Sequence, residues 1–261
     1  MAPTLLAAAA LVAVAGAFQA QQPQRAPAAA LGAARRDFLG AGAAAACLPF
    51  LVAAAPANAA SLNKVEKALS GLGLPALGEL PGGFNALLET YSQGRGNKPL
   101  LVRFAFPSSW LVVKPSVNTN GESGTISAGD YGKADSASLF VSPEVGELTS
   151  REFLNKVVVA GISQRGDNQY QSFKLGKVTP GEKGYTLVEY KYELLTGAGF
   201  VIERTGVASV TSVGTGSQAL ITVTTSTRWK KLEDTLKAVA NSFRVYETTA
   251  EAVNTISSED N

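Results

Sequence analysis

Three runs of strict alternation joined by very short glycine-containing connections limit the topology of this 261-residue chain more than any other feature. In Tyr185 to Leu195 one face carries Thr186, Val188, Tyr190, Tyr192 and Leu194, and the other is largely Glu189, Lys191 and Glu193. In Phe200 to Val210 the inward set is Phe200, Ile202, Gly206, Ala208 and Val210, with Arg204 the exception, and Gln218 to Ser226 presents Ala219, Ile221 and Val223. A period of two marks strands. Thr196-Gly197-Ala198-Gly199 and Gly214-Thr215-Gly216 are far shorter than the crossover of about a dozen residues that parallel neighbours need. The three strands are therefore antiparallel neighbours.

Upstream, Leu100, Val102, Phe104 and Phe106 alternate with Leu101, Arg103 and Ala105 in a strand stopped by Pro107. Leu111 to Val113 is a second short strand, and Asn118-Thr119-Asn120-Gly121 is a turn. Gly124 to Ala128 and Ser138 to Ser142 form a further pair of strands around the loop Gly129 to Ala137. Phe84, Leu87, Leu88 and Tyr91 have the i, i+3, i+4, i+7 spacing of a short helix that Gly94 and Gly96 end. Thr149-Ser150-Arg151-Glu152 has the form of a capping box, opening a helix with Phe153, Leu154, Val157, Val158 and Ile162 on one side. Trp229, Leu232, Leu236, Val239 and Phe243 mark a C-terminal helix. One-sided patterning in both strands and helices predicts an α+β fold, an α/β/α sandwich with a central antiparallel β-sheet.

Composition removes much chemistry. Residues 1–60 hold three of the 23 basic and one of the 21 acidic side chains, together with the single Cys, so the rest of the chain is formally neutral. Beyond that point the sequence has no Cys, His or Met, which excludes disulfide scaffolds, thiolate or imidazole zinc ligation, and Cys-His or Ser-His-Asp catalysis there. Neutral balance gives no broad nucleic-acid footprint. Gly214-Thr215-Gly216 lacks the Lys and helix of a phosphate loop, and no catalytic constellation is present.

The first 59 residues read as a targeting leader in three parts. Residues 1–17 contain an apolar run from Leu5 closing on Ala15-Gly16-Ala17, as a signal peptide does; residues 18–34 are rich in Ala, Gln and Pro without an acid, as in a transit segment. Residues 35–59 set Arg35 and Arg36 before a weakly apolar stretch ending Ala57-Asn58-Ala59, which resembles a twin-arginine signal. The succession resembles the leader of thylakoid-lumen proteins in algae with secondary plastids. The alternative is that Gly40 to Ala55 is a retained anchor, although it is shorter than the roughly 20 residues a spanning helix needs. Residues 60–83, rich in Leu, Gly and Pro, read as a flexible segment with a short amphipathic piece at Leu62, Val65 and Leu69; residues 84–246 form the folded domain and 247–261 a polar tail.

Five motifs in that domain resemble the PsbP family of oxygen-evolving enhancer and PsbP-like proteins. They are Phe104-Ala105-Phe106-Pro107-Ser108-Ser109-Trp110, Ser138-Leu139-Phe140-Val141-Ser142-Pro143 with the helical Phe153-Leu154, Tyr190-Lys191-Tyr192, Arg228-Trp229-Lys230, and Asn241-Ser242-Phe243-Arg244-Val245. The resemblance implies an antiparallel sheet flanked by helices and a non-enzymatic role in the thylakoid lumen. There the protein would be peripheral to the membrane, on photosystem II lumenal subunits or assembly intermediates, helping to retain calcium and chloride. It implies no firmly bound cofactor, with calcium the one ion in view, and no homo-oligomer. The other class of function is a ligand-binding or hydrolytic domain on the same scaffold, which requires a deep pocket with convergent polar groups.

Two sets of residues are candidate sites. Asp130 and Asp135, in Gly129-Asp130-Tyr131-Gly132-Lys133-Ala134-Asp135, are carboxylates suited to a hard cation such as calcium, but two acids fall short of its six to eight oxygens, and a solvated turn is the competing reading. Arg228, Lys230 and Lys231 cluster where the C-terminal helix begins, at the positive end of its macrodipole, so folding alone does not favour them there. They form either a partner-docking edge or a solvated face neutralised by Glu233 and Asp234. The leader reading predicts a mature N-terminus at Ala60, and mass spectrometry of the protein from thylakoids that finds Arg35 and Arg36 attached overturns it.

Overall fold

The alternating segments pair as their connections require. In a computed structural model describing residues 62–249 apart from 115, 164–168 and 183, seven strands make one antiparallel sheet in the order β3-β4-β5-β9-β8-β7-β6. These are β3 (Leu111–Val113), β4 (Ser127–Asp130), β5 (Asp135–Ser142), β6 (Gln169–Pro180), β7 (Thr186–Leu195), β8 (Val201–Val213) and β9 (Gly216–Thr225). A three-stranded antiparallel sheet combines β1 (Phe84–Tyr91), β2 (Leu100–Pro107) and β10 (Arg244–Glu247) in the order β1-β2-β10. Three helices complete the described residues: α1 (Leu62–Gly71), α2 (Arg151–Ser163) and α3 (Ser226–Asn241). The class is α+β, as expected. Residues 1–59 and the tail from 250 lie outside the described residues.

Three apolar clusters show how the layers stack. Leu154, Val157 and Val158 of α2 meet Phe140, Val188, Tyr190, Ala208, Ala219, Ile221 and Val223 on one face of the large sheet. On its other face, Leu236 and Val239 of α3 share a core with Leu139 and Leu220 of the large sheet and Val102, Phe104 and Phe106 of the small one. The outer face of the small sheet, with Ala86, Leu88 and Leu101, is closed by Val65 and Leu69 of α1 and by Leu77. Helix α3 is thus packed between two sheets, and each sheet has a further helix outside it.

Several sequence expectations change. Phe84 to Tyr91 is strand β1 and not a helix, because all eight residues pair with β2 and their neighbours bury both faces. Residues 60–83, expected to be flexible, instead carry α1, and Val65, Leu69 and Leu77 are buried because the small sheet offers them an apolar face. Phe200, assigned inward, is 69% exposed because it belongs to the β7–β8 turn, where its carbonyl accepts from the Thr196 N–H at 2.9 Å before β8 begins at Val201. The cap of α2 is Ser150, whose hydroxyl accepts from the Phe153 N–H at 3.3 Å, one residue after Thr149. Gly129 to Ala137 closes as a tight hairpin, with Asp130 directly opposite Asp135. Strand β6 has no clear signature in the sequence because it is a bulged outer strand with little buried surface and no clean alternation, a form that protects a sheet edge.

Gly206 is the tightest point of the sheet. The Tyr190 side chain crosses it from β7, and its hydroxyl donates to the Thr222 carbonyl at 2.9 Å. A Cβ at position 206 would meet the Tyr190 oxygen at 2.6 Å and lie on the Thr222 carbonyl. Gly206→Ala should therefore lower unfolding free energy by about 3 kcal/mol, read by urea denaturation.

Candidate functional site

The two sequence-derived sets, Asp130 with Asp135 and Arg228 with its lysines, meet at one end of the large sheet. The β4–β5 connection turns at Asp130, whose carbonyl accepts from the Lys133 N–H at 3.0 Å, and Ala134 follows in the left-handed region with φ 59°. Arg204 holds that conformation by donating from Nη2 to the Ala134 carbonyl at 2.8 Å. Arg204, the exception to its strand's inward pattern, is thus a buried brace for the turn.

Asp135 is 2% exposed and fully engaged. Arg228 donates to it bidentately, from Nε to Oδ1 at 3.2 Å and from Nη2 to Oδ2 at 2.6 Å, and Thr224 Oγ1 donates to Oδ1 at 2.6 Å. The fork of a guanidinium matches a carboxylate in this way, and a buried charge needs such partners. Asp130 is bridged by Lys133 Nζ at 2.5 Å, and that hydrogen bond holds its carboxyl below the usual carboxylate range, with Arg228 acting in the same direction. Among the described residues no group of three or more His, Cys, Asp or Glu is placed to hold a metal ion.

Arg228, Lys230 and Lys231 divide by role. Arg228 turns inward to Asp135, and Trp229 packs against the core shared by the two sheets. Lys230 and Lys231 are exposed, with no ion-pair partner among the described residues. Of the two acids expected to neutralise them, Glu233 is committed elsewhere, bridging Lys237 at 2.5 Å, where Lys237 also meets Glu189 of β7 at 3.0 Å, and Asp234 is exposed and makes no ion pair with either lysine among the described residues. Those two carboxylates raise the Lys237 ammonium above its ordinary value. The first turn of α3 has no acid, and Thr225 makes no side-chain cap. Two cations with no ion-pair partner among the described residues therefore stand at the positive end of the helix.

A cleft of about 850 Å³ was not legible beforehand. It opens between residues 75–81, the β6–β7 turn, β8 and β10, and both Arg103 and Arg244 line it. The signal was a lone charge in the apolar strand Leu100 to Phe106.

No protein-family model matches this chain, and no curated protein matches it. The chain is similar to the solution structure of cyanobacterial PsbP from Synechocystis sp. PCC 6803, with 23% identity over 66% of this chain and 100% of that one, at a TM-score of 0.36. The architecture rests on the strand pairing described above. No described helix is long and apolar enough to cross a membrane.

Removing one partner of a buried ion pair leaves the other charge uncompensated. Asp135→Asn should cost about 2 to 3 kcal/mol of stability in urea denaturation, while Lys230→Gln with Lys231→Gln leaves the midpoint unchanged or slightly raised.

Proposed function

We propose that residues 1–59 deliver the chain to the thylakoid lumen and that residues from Ala60 act there as a non-enzymatic extrinsic protein at photosystem II, supporting the oxygen-evolving complex. The observation that carries this reading is where the PsbP-like motifs fall. Phe104, Phe106, Trp110, Leu139, Phe243 and Val245, drawn from motifs spread over some 140 residues of chain, lie in one core cluster, with Trp229 against it. Residues that carry the resemblance are thus the ones that hold the two sheets and α3 together.

The site supports action by contact. The acids of the β4–β5 turn are occupied by cations, so calcium and chloride retention is assigned to the partner's own site, stabilised when this protein docks. Lys230 and Lys231 are the docking edge, facing acidic lumenal loops of the photosystem. Arg228 positions that edge by fixing the start of α3 against Asp135.

Rebinding to photosystem II membranes stripped of extrinsic proteins tests the reading. Lys230→Gln with Lys231→Gln should weaken binding roughly threefold to tenfold and flatten its salt dependence, because exposed interface charges act through screened, long-range attraction. Unchanged binding by the double variant removes the docking edge, and no binding by the unaltered protein removes the photosystem II assignment.

A further inference from the structure

The small sheet holds an electrostatic arrangement that folding does not account for. Arg103 on β2 is 5% exposed, and no carboxylate among the described residues pairs with it. Its Nη1 donates to the Pro75 carbonyl at 3.0 Å, while its Nε–H is buried with no hydrogen-bond partner among the described residues. Burial lowers the affinity of this guanidinium for its proton and the nearby Arg244 charge acts in the same direction, while the phenol groups of Tyr246 and Tyr185 oppose them in part. Arg244 is directly opposite, in register across β10 and β2. Like charges facing each other in an antiparallel pair destabilise it, and an unsatisfied buried donor adds a further cost.

Arg244 is held rigidly. Its Nη1 donates to the carbonyls of Asn241 at 2.6 Å and Phe243 at 2.7 Å, and its guanidinium lies 5.0 Å from the centre of the Tyr185 ring. Among the described residues the one carboxylate that reaches it, Glu182 at 3.3 Å, has a side chain 79% exposed and belongs to the rim. Both arginines line the same cleft, whose polar wall includes Ser209, Thr211 and Asn241. Its volume, about 850 Å³, is that of a small-molecule site.

We infer that this cleft binds a small organic molecule through a carboxylate or phosphate oxyanion placed between Arg103 and Arg244. An oxyanion there supplies an acceptor for the Arg103 Nε–H, neutralises the opposed charges and uses the planar fork that suits arginine to such groups. Ser209 and Asn241 also line the pocket, whereas the Thr211 hydroxyl is spent on the Gly184 carbonyl at 3.2 Å and the two acids of the lining, Glu79 and Glu182, belong to residues 75–81 and the β6–β7 turn. This site is separate from the Lys230 and Lys231 edge and is tested without photosystem membranes.

The probes are inorganic phosphate and succinate, added to the full chain, with potassium chloride of matched ionic strength as the reference. Either oxyanion should raise the melting temperature above the chloride reference, since a ligand that binds only the native state stabilises it. The Arg103 Nε–H resonance should move in the same titration, and the stronger of the two probes identifies the preferred oxyanion. Arg244→Gln should weaken binding roughly tenfold to a hundredfold, the worth of a charge-assisted hydrogen bond. Arg103→Met should do the same while holding or raising the melting temperature of the unliganded protein, because a buried cation gives way to an apolar chain. Equal shifts with chloride, or equal binding by Arg244→Gln, overturn the inference.

Discussion

Cover on both faces of the seven-stranded sheet is the constraint on which the rest of this structure depends. Strands β5, β8 and β9 are largely buried on both sides, so the polar groups they carry need partners inside, and among the described residues only Ser138 Oγ and Arg204 Nε on these strands lack one. Small hydroxyls and one amide do this locally. Thr222 Oγ1 donates to the Val207 carbonyl at 2.6 Å, and the Gln218 amide bonds both backbone groups of Val213, at 2.9 and 3.1 Å. The face toward α3 is the hydroxyl-rich one, with Thr205, Ser209, Thr211, Thr222 and Thr224, and the face toward α2 is the apolar one. A second sheet behind α3 then buries what one helix cannot cover.

Charge inside such a stack is costly, and its placement divides structural from functional residues. Asp135 and Arg228, 93 positions apart, satisfy each other and lock the β4–β5 hairpin to the start of α3. Arg204 serves the same turn through a carbonyl. Arg103 shares with Arg204 a buried Nε–H that has no acceptor among the described residues, but differs in that another arginine faces it in register. A stability role explains the first two, whereas the third raises the energy of the empty fold.

The two surfaces that emerge suit different partners. Lys230 and Lys231 are exposed point charges on a helix end, the kind of group that the proposed screened contact with a macromolecule would use. Arg103 and Arg244 are held guanidiniums in a concave, partly apolar cleft, adapted to a defined small ligand. One domain thus carries the proposed docking edge at the start of α3 and the arginine-lined cleft beside β10, with α3 and β10 connected through Phe243.

By itself the sequence determined the antiparallel order of β7, β8 and β9, the strand at Leu100 to Phe106, the helices at α2 and α3, and the absence of thiol and imidazole chemistry beyond residue 60. These follow from short-range facts: a period of two, a period near 3.6, connections too short to cross over, and residue types that are present or missing. Tertiary structure decided the rest. Phe84 to Tyr91 satisfies both a helical and a strand pattern, and only the free edge of β2 selects the strand. Leu62 to Gly71 is too short to be a stable helix alone and forms against the outer face of that sheet. Asp135 and Arg228 were each recognisable as charges with a purpose, but their pairing depends on a hairpin and a strand-helix junction brought together across 93 residues. Whether a charge is free or spent is a property of its neighbours in space, and the cleft that Arg103 and Arg244 line is built, apart from Arg103 itself, from four stretches of chain, within 75–81, 181–187, 209–213 and 238–246.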